Sequence, residues 1–160
     1  MLNTDKMPFD LLGGGWEVAI STPSAFLGGT TNARGDDGGT ADPKTLFAVT
    51  GDVLVRVFGV CTVNLVSAGA GTLEVGVPGN TAVLIAQEVA TEIDANGIYL
   101  SATQVLAAVA FASVPGPFLI VNGNDIIETV GTSDITAGQI YYICLWRPLT
   151  PSSTVVGVSE

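Results

Sequence analysis

The sequence contains no histidine. That removes the side chain most often used as a general base near neutral pH, and the commonest metal ligand with it. Charge is also scarce: 12% of residues are charged against 48% hydrophobic, whereas an ordinary soluble domain carries roughly 25% charged residues. Basic charge is scarcest, with 5 Lys and Arg against 15 Asp and Glu and a formal net charge of -10. Lys6, Arg34, Lys44, Arg56 and Arg147 are scattered and form no patch in sequence. The basic stripe that phosphate neutralisation demands is missing, which argues against nucleic acid as a partner. Cysteine is limited to Cys61 and Cys144, too few for a disulfide framework. Each falls inside an expected strand, which predicts two buried, reduced thiols. Long apolar runs are missing too. The charge-free stretch Ala95–Asn124 is broken by Pro115-Gly116-Pro117, and its uninterrupted apolar part is only Val105–Phe111, far short of the ~20 residues of a membrane span. Met1 to Lys6 has an early acid and no apolar core behind it, so neither a secretory leader nor a membrane partner is expected.

What is present is β-strand wording. Lys44–Val49 and Val53–Val63, separated by Thr50-Gly51-Asp52, read as a hairpin that organises the chain. The second arm is rich in β-branched residues, which suit a pleated surface. Its odd positions, Val53, Val55, Val57, Cys61 and Val63, make one apolar face, while the even ones, Leu54, Arg56, Phe58 and Val60, are far from polar. A strand apolar on both faces needs cover on both sides, from a second sheet or another subunit. Further hairpins are expected at Pro78-Gly79-Asn80, at Asn96-Gly97 between Thr91–Ile93 and Ile98–Leu100, and at Asn122-Gly123-Asn124 between Phe118–Val121 and Ile126–Val130, because such residues supply the turn conformations hairpins use. Gln139–Arg147 is the last strong strand, stopped by Pro148. Ser101–Gln104 fits a helix capping box ahead of an alanine-rich run, so residues 101–112 are expected to begin as a helical turn and lead into a strand.

The fold class expected is all-β, an antiparallel β-sandwich or jelly-roll-like domain with an extended N-terminal arm and a long loop. Residues 1–43 hold the arm, a short strand at Trp16–Ile20 and the Gly- and Asp-rich loop Ser21–Pro43; residues 44–150 form the sandwich; residues 151–160 are a peripheral tail. A loop of that length is usually functional, and reaching a neighbouring subunit would explain it.

No residue pattern assigns catalysis, a cofactor or a metal. No Gly-rich loop ends in Lys-Ser or Lys-Thr, and no serine has a nucleophile-elbow context. Asp36, Asp37 and Asp42 are the densest acids, but their spacing matches no EF-hand loop and a solvated acidic loop is expected. Arg34-Gly35-Asp36 spells an integrin-recognition tripeptide, a string short enough to recur by chance. Tyr141, Tyr142 and Trp146 suggest a stacking platform, yet Tyr142 and Trp146 share a strand face with Cys144, which favours the core. Arg56 stands mid-strand among apolar residues and needs a partner; Glu74 and Glu128 are the candidates for a structural ion pair.

Three stretches, Lys44–Gly59, Asp125–Val130 and Tyr141–Pro148, together resemble small head proteins of tailed bacteriophages and prophages, several of which are capsid decoration or cement proteins. The resemblance covers about residues 44 to 150 and carries no catalytic motif. It implies a non-enzymatic virion protein of the capsid surface, made in the host bacterial cytoplasm. The major capsid protein would be its partner, and a homo-oligomer, a trimer above others, its state. A receptor- or glycan-binding module of a tail or head fibre is the alternative, and exposed loop aromatics would favour it.

Overall fold

The computed structural model describes residues 16–30, 32–100, 118–120 and 123–159. Two antiparallel sheets pack face to face, and the hydrophobic core lies between them. The all-β sandwich expected from the sequence is the fold observed. The N-terminal arm and the 101–112 stretch fall outside the described residues.

Among the described residues eleven strands follow one another: β1 (Glu17–Ile20), β2 (Ser24–Ala25), β3 (Lys44–Thr50), β4 (Val53–Ser67), β5 (Thr72–Val77), β6 (Asn80–Val89), β7 (Ile98–Tyr99), β8 (Phe118–Ile120), β9 (Ile126–Gly131), β10 (Ile135–Pro148) and β11 (Thr154–Gly157). The larger sheet has the order β1-β10-β4-β7, with β2 also on β10 and β8 also on β4. The smaller sheet runs β11-β3-β9-β5-β6.

The central hairpin does not form. β3 pairs with β9 and β11 in the smaller sheet, while β4 pairs with β10, β7 and β8 in the larger. The chain crosses the sandwich at Thr50-Gly51-Asp52, where Gly51 has φ +69° and Ser153 donates a hydrogen bond to the Asp52 carbonyl at 2.7 Å. Each strand thereby turns one apolar face inward from its own sheet. The same correction applies elsewhere. Asn96-Gly97 makes a turn, but Ala90–Glu92 before it is a short 3-10 helix and Ile98–Tyr99 pairs with β4. The hairpin expected at Asn122-Gly123-Asn124 does not form either, since β8 lies in the larger sheet and β9 in the smaller; residues 121 and 122 fall outside the described residues. Only Pro78-Gly79-Asn80 joins its strands, β5 and β6, as a hairpin.

The inward positions of β4 and β10 build the core. Val55, Val57 and Cys61 face Trp146, Cys144 and Ile140 through matched register, and these six are buried together with Val53 and Tyr142. Gly59 sits opposite Tyr142. A Cβ there would fall 2.7 Å from Ile140 Cδ1 and 3.0 Å from Tyr142 Cε1, so glycine makes room for the ring. The chain beyond Pro151, expected at the periphery, supplies an edge strand. Val155 is buried, and Val158 N–H donates to the Leu46 carbonyl at 3.0 Å.

Candidate functional site

The loop Ser21–Pro43 is folded into the sandwich. Ser21, Ser24, Phe26 and Arg34 are all buried. Leu27 N–H donates to the Arg34 carbonyl at 2.8 Å, Gly28 N–H to Ile135 at 2.9 Å, and Ile135 N–H to Gly35 at 2.8 Å. Gly35 has φ +100°, and a Cβ at Gly28 would fall 2.3 Å from the Gly35 oxygen, so this approach needs glycine at both positions.

Arg34 is the anchor. Its Nε donates to Glu128 Oε1 at 2.8 Å and its Nη2 to Oε2 at 2.6 Å, a bidentate fork that matches guanidinium to carboxylate. Nη1 donates to the Ser24 carbonyl at 2.6 Å, to Ser24 Oγ at 3.0 Å and to the Ile140 carbonyl at 3.1 Å. Tyr142 OH donates to Glu128 Oε2 at 2.7 Å, and the Phe26 ring lies 4.2 Å from the Arg34 guanidinium carbon. With side chains 4% and 1% exposed, this is a buried pair whose hydrogen-bonding capacity is nearly filled. Burial, and then the Glu128 charge, push the Tyr142 phenol well above its ordinary range. Glu128 therefore pairs with Arg34, across 94 residues of sequence, and not with Arg56. The integrin tripeptide is closed as a recognition loop, because its arginine is in the core.

The three loop acids are not brought together as ligands. Asp42 accepts from Val130 N–H at 2.9 Å and Gly38 N–H at 3.2 Å; Asp36 accepts from Asn32 N–H at 3.2 Å. Asp37 donates its own N–H to Asp134 at 2.9 Å. Asp36 and Asp42 act as backbone caps, and at Asp37 the capping carboxylate is that of Asp134. Among the described residues no group of three or more His, Cys, Asp or Glu could hold a metal ion. Cys61 and Cys144 are free and buried, as expected. Burial pushes the Cys61 thiol up to about 11 and Cys144 up to about 12, which keeps both protonated and weakly nucleophilic. Tyr142, Cys144 and Trp146 lie in the core together. A cleft of about 560 Å³ opens beside the loop, lined by Leu27, Asn32, Thr40, Lys44 and Val158 among others, and no aromatic ring lines it.

The other face of the larger sheet points away from the core. Ile20, Ile143 and Phe58 form one cross-strand row, Val18, Leu145 and Arg56 the next, and Tyr141, Val60 and Ile98 a third. Val18 is 57% exposed and Ile20 56%. No acidic residue occupies these outward positions. Two of the chain's 5 basic residues stand there, Arg56 and, beside Leu54, Arg147. Arg147 lies 5.8 Å from the Trp16 ring. Arg56 Nε is buried with no hydrogen-bond partner among the described residues. Sequence reasoning found the two-faced strand but offered Glu74 and Glu128 as partners of its arginine; both stand on the smaller sheet and Arg56 on the larger, an assignment that alternation along a strand does not give.

No protein-family description matches the chain, and no curated protein does. Among solved structures it is similar to a chain of the acidic stable capsid structure of Helicobacter pylori bacteriophage KHP30, at 13% identity and a TM-score of 0.44, over 92% of this chain and 97% of that one.

Proposed function

We propose that this chain is a structural head protein of a tailed bacteriophage, acting as a decoration or cement protein on the outer capsid surface with the major capsid protein as partner. The observation that carries the reading is the outward face of the larger sheet. It is a broad apolar surface on a rigid sandwich, in a chain with too little charge to coat itself. The resemblance of Lys44–Gly59, Asp125–Val130 and Tyr141–Pro148 to phage head proteins supplies the setting. Among the described residues no catalytic constellation accompanies that face, and the cleft beside the loop has no aromatic floor for a sugar to stack on, so the fibre-module reading has less support. Self-association, a trimer above others, belongs to the proposal, because apolar area of this kind is stabilised by contact with protein. The test is co-sedimentation of the purified chain with empty shells of the major capsid protein, followed by heating the shells with and without it. Binding that raises the temperature of shell disruption is expected. Shells that neither retain the chain nor gain heat resistance would overturn the decoration role.

A further inference from the structure

We infer that copies of this chain associate head to tail, the Arg56 end of the outward face receiving the acidic Asp37–Asp134 end of the next copy. The inference rests on the self-association in the proposal above and names its surfaces. Arg56 lies near the start of β4 and Arg147 near the end of β10, so both cations mark one end of the sheet. At the other end Ile135 pairs with Ser67, and Asp37 N–H meets the Asp134 carboxylate. The two ends are about 36 Å apart along β4, at ~3.3 Å per residue. The acidic end also carries apolar surface, with Val66 48% and Leu27 57% exposed.

Charge decides the arrangement. Docking the outward face against the same face of a second copy would bury the Arg56 guanidinium among apolar residues, with no carboxylate at the described outward positions of either copy to meet it. Among the described residues the acids lie off this face, so the complementary surface on a second copy is a different one from the face it meets. A contact between unlike surfaces is heterologous, and it closes into a ring when the rotation per copy divides a full turn. A ring of three is one such solution. A twofold dimer through this contact is not.

Sedimentation of the full chain at micromolar concentration in physiological salt tests this with three variants. Arg56→Glu and Asp37→Lys, at opposite ends of the molecule, are each expected to shift the wild-type oligomer toward monomer. The doubly reversed chain is expected to associate more tightly than either single variant, because it restores opposite charge across the contact. Circular dichroism melts of all three confirm that the sandwich is intact. If one variant fails to fold, the other still decides, since each reversal alone must weaken the oligomer. Single variants that keep the wild-type oligomer, or a double variant whose loss is the sum of the two, would overturn the contact while leaving self-association standing. A wild-type monomer would overturn both, and the shell co-sedimentation above would still report on capsid binding.

Discussion

Glu128 could not be left where it is without a cation. It stands mid-strand between Ile126, Ile127 and Val130, and a buried carboxylate that is unpaired costs several kcal/mol. That much was legible in the sequence; its partner was not, because Arg34 sits 94 residues away in a Gly-Asp loop that reads as solvated. Removing one member leaves the other charge stranded. Arg34→Met and Glu128→Leu are each expected to lower stability by about 3–5 kcal/mol in urea unfolding, and the double variant by less than their sum. The thiols give a second expectation at this scale. Their folded values, about 11 for Cys61 and about 12 for Cys144, lie above the ordinary 9.0. In the unfolded chain they ionise near the ordinary value while the folded chain holds its protons. The stability they confer is therefore complete below about pH 9 and lost as pH rises toward 11 and 12. Denaturant midpoints should hold from pH 8 to about 9 and fall from there toward pH 11, and native labelling with a thiol reagent at pH 8 should be slow for both sites and fast after unfolding.

At the scale of elements, strand positions were readable and pairings were not. Period-two alternation locates a strand and says which residues share a face, and β4, β5, β9 and β10 were found this way. It does not say which sheet receives the strand. Thr50-Gly51-Asp52 has the composition of a hairpin turn, yet packing at Ser153 carries the chain from one sheet to the other. The loop shows the same limit. Its polar, Gly-rich composition predicts an element that orders only on a partner, whereas Phe26 and Arg34 draw it into the core. Hydrogen exchange on the isolated protein should therefore show protection at Leu27, Gly28 and Ile135, whose amides are bonded within the loop and to β10; rapid exchange at all three would return the loop to the role first expected of it. The C-terminal strand is likewise part of the fold. Val155→Asp buries a carboxylate at a position only 6% exposed and is expected to destabilise by about 3 kcal/mol or more, read as a loss in the thermal midpoint.

At the scale of the whole molecule, the strand order sets when folding can happen during synthesis. β3 and β4 are translated early, but β9, β10 and β11, which pair with most of their length, come last. Until the ribosome has delivered those final segments, two strongly apolar strands are out with little to pair with. The chain must be held soluble by dilution or by chaperones, and its folding rate is governed by closing long loops, in the millisecond-to-second range of β-sandwiches. Nascent chains arrested just after Gly131 should be protease-sensitive and chaperone-bound, while chains arrested far enough beyond Gly157 to clear the exit tunnel should resist digestion. A chain so built completes its smaller sheet only once β11 is in place on β3, so translation products that stop short of it lack an edge of the fold.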